Sequence, residues 1–182
     1  MTQFDVDTFA QNLLEEAKRF LERARYESEP IGKQAYLHAA LMIGFCAFEG
    51  HISAIATDFV RLSSLTPHEL GLLSEQKVRL NNGEFEVTES LEMVRLEDRI
   101  EFLYCKFSGQ RLDKTVAWWA ELKSAMKLRN QLAHPKALVV FDEHAVGNAL
   151  VAIVAGINAC YQAIYKRPLP SASSALMSKM TF

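Results

Sequence analysis

Two nearly unbroken apolar stretches, residues 35–56 and 145–165, constrain what this chain can fold into more than any other feature. Each is far longer than a β-strand, so each must be a helix that hides most of its circumference in a bundle core or in a bilayer. Polar groups decide between the two. His38, Glu49 and His51 interrupt the first stretch, and Asn148, Asn158 and Gln162 the second. Both therefore read as core helices of a bundle rather than membrane spans.

The rest of the chain follows that lead. With 182 residues, 49% of them apolar and 23% charged, there is room for one ordinary globular domain and little disorder. The first helix carries Phe9, Leu13, Leu14, Ala17, Leu21 and Ala24 on one stripe, begins at a cap at Asp7 and stops at residues 29–32. The second runs from about Lys33 to Leu62. Thr66, Pro67 and Glu69 have capping-box spacing, so a short helix starts there. Asn81-Asn82-Gly83, flanked by residues 77–80 and 85–88, suggests a small hairpin or an irregular loop. A helix over residues 89–107 follows, then one capped by Asp113 that carries Trp118, Trp119, Leu122, Met126 and Leu132 up to His134. After a brief β-branched run at 137–141, Asp142 caps a last apolar helix reaching about Lys166. The fold class read from this pattern is all-α: an up-and-down helical bundle of four to five main helices with a short inserted helix and turn region. Residues 1–168 form the single domain, and the Ser- and Ala-rich residues 169–182 a flexible tail.

Many function classes lose support at once. No phosphate-binding glycine loop, dinucleotide fingerprint, zinc-protease helix, nucleophile elbow or calcium loop is present. Cys46, Cys105 and Cys160 are odd in number and widely spaced, so neither structural zinc nor a disulfide framework is expected. Neither metal nor cofactor is expected. The start of the chain lacks the basic and apolar regions of a signal peptide, and a reducing cytoplasmic setting is the default. Charge is unevenly spread: residues 1–104 carry 18 acids against 10 bases, whereas residues 105–136 carry 2 acids against 7 bases. Such a local surplus suits either an anion-binding surface or a solvated helix face. Lys123, Lys127 and Lys136 lie in it and are candidate contacts for an anionic ligand, which the resemblance described below would make RNA.

Two charges interrupt apolar stripes. Met42, Phe45, Glu49, Ile52, Ala56 and Phe59 share one face of the second helix, and Trp118, Leu122, Ala125, Arg129 and Leu132 share one face of the later helix. A lone charge facing a core costs several kcal/mol, so Glu49 and Arg129 are expected to meet, or to line a cavity or subunit interface. Five residues after Arg129, Pro135 forces the chain out of the helix and leaves His134 at the exit. Asn130 is four residues before His134 and is placed to hydrogen-bond and orient its imidazole. The helix end also presents the negative pole of its dipole to that histidine, which suits a proton donor. An arginine that binds phosphate bidentately, beside a histidine that moves a proton, suits phosphodiester cleavage without metal.

At Arg129-Asn130-Gln131-Leu132-Ala133-His134 the chain resembles the HEPN (higher eukaryotes and prokaryotes nucleotide-binding) superfamily. That family's signature is an arginine, usually followed by a polar residue, with a histidine a few positions on. The motif sits at the end of a late helix and is followed by a final apolar helix, and Glu49 resembles the acidic position on an early helix. The resemblance implies a homodimer whose two motifs meet across the interface and form a metal-independent endoribonuclease. Its catalytic residues would be Arg129 and His134, with Asn130 and Glu49 as orienting groups, and its products a 2′,3′-cyclic phosphate and a 5′-hydroxyl. It also implies a toxin or defence role and an antitoxin or other partner protein. The superfamily includes catalytically silent nucleotide- or protein-binding dimeric modules, which is the alternative reading. Members controlled by AMP addition carry Tyr two residues after the histidine; here that position is Lys136, so such control is not carried over.

Overall fold

The computed structural model describes residues 6–169. Six helices and one hairpin follow in the order α1 (Val6–Tyr26), α2 (Pro30–Phe59), α3 (Pro67–Ser74), β1 (Gln76–Asn81), β2 (Glu84–Leu91), α4 (Leu96–Ser108), α5 (Ala117–Ala133) and α6 (Glu143–Tyr165). The molecule is mostly helical but not the pure all-α bundle expected, because the insertion between α2 and α4 folds into a two-stranded antiparallel sheet. The physical reason is local. Asn82 and Gly83 both take positive φ, 50° and 90°, which reverses the chain and lets Leu80 pair with Phe85 and Val78 with Val87.

Two helix starts also differ from expectation. Glu89 lies in β2, which pairs with β1 as far as Leu91, and residues 92–95 are irregular, so α4 begins only at Leu96. Asp113 does not cap α5. Its carboxylate accepts from the N–H and the hydroxyl of Thr115 in a local turn, and the helix opens at Ala117. The β-branched run 137–141 forms no strand. Helix α2 spans Pro30–Phe59 rather than about Lys33 to Leu62, because Glu29 caps it through the N–H groups of Ile31 and Gly32. Other junctions match their sequence signals: Thr66 and Glu69 form the reciprocal capping box of α3, and Asp142 accepts from Ala145 N–H at the start of α6. Pro135 stands just past the end of α5, with His134 as its last capping residue. Helix α1 begins at Val6, one residue before the proposed cap, and the side chain of Asp7 lies outside the described residues.

One continuous hydrophobic cluster runs from Ala17 to Leu169. Helix α2 is its spine: Leu37, Leu41, Phe45, Phe48, Ile52 and Ile55 are buried, facing Leu14, Ala17 and Leu21 of α1 and Leu150, Ile153 and Ile157 of α6. Gly44 allows the close approach of α6, since a Cβ there would stand 2.4 Å from Leu150. By length and composition, α2 and α6 could each cross a membrane, with mean hydropathy of 1.6 and 1.4, and about half of each apolar window is buried inside the protein. Leu169 is buried, and its N–H donates to Asn158 Oδ1, so the core reaches one residue further than the sequence boundary at 168. The rest of the proposed tail, residues 170–182, lies outside the described residues.

The insertion is tied down at its base. Glu92 N–H donates to Glu75 O at 2.8 Å. Arg99 of α4, 5% exposed, donates to Glu75 Oε2 (2.7 Å), Leu73 O (2.8 Å) and Ser53 Oγ (3.3 Å). One guanidinium thus ties α2, α3 and α4 together. Burial pushes its pKa down, opposed by the carboxylates of Glu75 and Glu49. Lys106 of α4 makes a second tie, to Glu69 at 2.6 Å.

Candidate functional site

The two charges that interrupt the apolar stripes, Glu49 and Arg129, lie on the wall of a cavity of about 710 Å³. On α5, Leu122, Ala125 and Met126 are buried and Leu128 and Leu132 pack partly buried against the core, whereas Arg129 keeps 26% of its side chain exposed, its Nε buried without a hydrogen-bond partner among the described residues. Glu49 is 48% exposed. Arg129 Nη2 and Glu49 Oε1 stand 3.6 Å apart, so the expected pairing forms, but as a loose ion pair beyond hydrogen-bond length. In that setting the pair contributes at most about 1 kcal/mol rather than the several that a buried pair would involve. The guanidinium carbon also lies 5.2 Å from the centroid of the Phe45 ring, a cation–π contact worth about 0.5–1 kcal/mol. Phe45 is 2% exposed, so this platform is fixed by the core. Arg129 is held in place from beneath, and among the described residues its guanidinium makes no hydrogen bond.

Asn130 lines the same cavity, and its carbonyl accepts from His134 N–H at 3.0 Å. That backbone bond replaces the side-chain contact expected from sequence: among the described residues no hydrogen bond links the Asn130 amide to the imidazole. His134 has φ −132° and ψ 64°, off the helical region, and its side chain is exposed. It does not line the cavity that Arg129 faces. Lys123 does line it and pairs with Glu97, whereas Lys127 and Lys136 are exposed and lie away from it. Of the seven candidate residues, then, the fold brings Glu49, Lys123, Arg129 and Asn130 to one cavity and leaves Lys127, His134 and Lys136 outside it.

Sequence reading missed the opposite wall. Ser53, Glu75, Arg95, Leu96, Glu97 and Arg99 complete the cavity. They come from α2, the insertion and the start of α4, and no periodic pattern links them to the motif in α5. The surplus of acids in residues 1–104 masked the two arginines. His51, near Glu49 in sequence, is fully buried, packs edge-on against Tyr161 and does not line the cavity. Trp119 is buried and Trp118 partly so, splitting between core and surface as adjacent helical aromatics do. Cys46, three residues before Glu49, is exposed, and desolvation together with the Glu49 charge raises its thiol pKa, so it is a poor nucleophile. Among the described residues no group of three His, Cys, Asp or Glu side chains is gathered as a metal site would require.

Directly after His134 the surface turns apolar. Leu138 is 95% exposed and Val140 72%, on an irregular segment that Gln34 anchors through two 2.8 Å hydrogen bonds to the backbone of Phe141. No family model, curated protein or solved structure matches the chain.

Proposed function

We propose that this protein is a HEPN-like, metal-independent endoribonuclease that acts as a homodimer, with Arg129 and His134 as catalytic residues. The observation that carries the reading is the state of Arg129: a guanidinium held over Phe45, loosely paired to Glu49, facing a polar cavity and making no hydrogen bond among the described residues. A phosphodiester can replace the carboxylate as its partner, and the planar fork would grip two phosphate oxygens as negative charge builds in the transition state. His134 would accept the proton of the ribose 2′-hydroxyl or deliver one to the departing 5′-oxygen. The bond formed is 2′-O to phosphorus and the bond broken is phosphorus to 5′-O, which leaves a 2′,3′-cyclic phosphate and a 5′-hydroxyl.

Within one protomer Arg129 lines the cavity and His134 does not. The exposed apolar segment around Leu138 favours a second copy laid against this end of the molecule, which would bring the symmetry-related groups together. A cytoplasmic setting, a toxin or defence role and an antitoxin partner belong to the same proposal and rest on the resemblance alone.

Incubating purified protein with end-labelled single-stranded RNA in EDTA tests the reading. Cleavage with cyclic phosphate ends is expected, and none on the all-deoxy version of the strand. The second reading, a catalytically silent nucleotide- or protein-binding module, is favoured by the lack, among the described residues, of any hydrogen bond that orients the His134 imidazole. Thermal stabilisation by nucleotides without cleavage of any RNA would select it.

A further inference from the structure

Between α5 and α6 the chain carries Ala137-Leu138-Val139-Val140-Phe141, a run with no charge, no proline and no glycine. Exposure alternates along it: Leu138, Val140 and Asp142 are exposed, Val139 is half-buried and Phe141 is buried. That period of two is the mark of extended backbone, and Asp142, with φ −82° and ψ 138°, is still extended where α6 begins. The segment thus has the shape of a strand, and no second strand pairs with it. Gln34 takes the place of one neighbour: its carboxamide accepts from Phe141 N–H and donates to Phe141 O, both at 2.8 Å. In extended backbone, alternate residues direct their N–H and C=O groups to opposite edges. Those of Val139 therefore share the edge that Gln34 occupies, and those of Leu138 and Val140 face the other. Among the described residues nothing bonds to the backbone of Leu138 or Val140. Proteins ordinarily blunt such an open, β-prone edge with a charge, a proline or a covering element. Here the nearest charges, Lys136 and Asp142, stand at its two ends.

We infer that this edge pairs with its own copy: residues 138–140 of two protomers form an antiparallel ribbon across a two-fold axis at Val139. The sequence is self-complementary about that point, as an isologous contact requires. Leu138 of one copy falls opposite Val140 of the other, and each such pair exchanges both of its backbone N–H and C=O groups across the ribbon. Their side chains then lie together on the outward face as an aliphatic cross-strand pair. Lys136 and Asp142 are equally far from Val139, so the same register brings the cation of each copy to the carboxylate of the other. Both are exposed, and neither has an ion pair among the described residues. The chain bends at residues 136 and 137, and the long Lys136 stem spans that bend. An axis at Leu138 would instead set Lys136 against Val140, and one at Val140 would set Asp142 against Leu138. The charges therefore select a second copy in one register. Its use in a composite nuclease rests on the proposed ribonuclease function; the pairing itself rests on this segment alone. A ribbon this short lies at the small end of interface sizes, so association is expected in the micromolar range.

The test is sedimentation velocity of the full chain without RNA over about 1–200 μM, where monomer should give way to dimer. Val140→Pro removes an N–H that the ribbon needs and that no bond within the protomer uses, so association should weaken by about tenfold or more with the fold unchanged. Lys136→Glu, at an exposed position, sets like charges opposite one another twice and should also weaken the dimer by about tenfold. Adding Asp142→Asn, which keeps a capping side chain on α6 and removes the repulsion, should recover part of that loss. Amide exchange followed by NMR reads the register: the N–H groups of Leu138 and Val140 should slow as protein concentration rises, and that of Val139 should not. A monomer at every concentration overturns the inference and leaves the edge to a strand of another protein. A dimer that Val140→Pro and Lys136→Glu leave intact overturns it too, whether or not the protein cuts RNA, and so does equal slowing of all three amides. A dimer lost in both variants of a protein that cuts no RNA keeps the ribbon and removes the ribonuclease reading.

Discussion

Arg129 Nη2 stands 3.6 Å from Glu49 Oε1, near enough to feel its charge and too far to share a hydrogen with it. This separation distinguishes a poised guanidinium from a structural one. A buried, hydrogen-bonded pair would have specified the packing of α2 against α5 and left nothing for a ligand. A loose pair on a cavity wall keeps the arginine extended over Phe45 and surrenders it at small cost.

Glu49→Gln puts a number on that difference. The urea midpoint should correspond to a loss of no more than about 1 kcal/mol, whereas stranding a buried Arg129 would cost about 3–5 kcal/mol. Removing a negative charge from beside the bound phosphate should also tighten oligonucleotide binding by about two- to fivefold. A large loss of stability would return both charges to the core.

Leu138→Asp addresses the composite site. Leu138 is 95% exposed, so the fold of a protomer is indifferent to the change and its melting temperature should stay within about 2 °C of the wild type. A charge in an apolar contact between copies is not tolerated in the same way. Sedimentation analysis should show the dimer weakened and RNA cleavage lost in parallel; a variant that dimerises and cuts normally would place the interface elsewhere.

The insertion offers a pH test. Its contact with Lys106, then the Thr66 N–H, holds the Glu69 carboxyl down from 4.5 to about 2. A carboxylate whose pKa is lowered on folding contributes stability above its unfolded value, and the contribution drains away as pH falls toward the folded one. Wild type should therefore melt higher than Glu69→Gln at pH 6, with the gap closing between about pH 4.5 and 2. A gap that stays constant over that range would show that the cap contributes nothing through its charge.

Local chemistry made much of the fold readable, and distance in sequence hid the rest. Thr66 with Glu69, Asn82 with Gly83, Asp142, and Pro135 after His134 each act on backbone within a few residues, and each marks a real boundary. Glu89 and Asp113 misled for the complementary reason. Strand pairing with β1 claimed the first, and a hydrogen bond to the neighbouring Thr115 claimed the second, before either could start a helix. The charged positions on α2 and α5 were visible because they break a period. Their depth was not, since a stripe records which face a residue occupies and not where the core ends along the helix. Arg95 and Arg99 carried no such signal; only the fold of the insertion brings them opposite Arg129.

Cleavage of labelled RNA by His134→Ala, compared with wild type in EDTA, bears most directly on the central claim. Because His134 is exposed at the end of α5, the substitution should leave the circular dichroism spectrum and melting temperature unchanged. The account predicts that the cleavage rate falls by at least about 10³-fold while oligo-dT binding persists. Cleavage within a few-fold of wild type would contradict it and take the imidazole out of the chemistry.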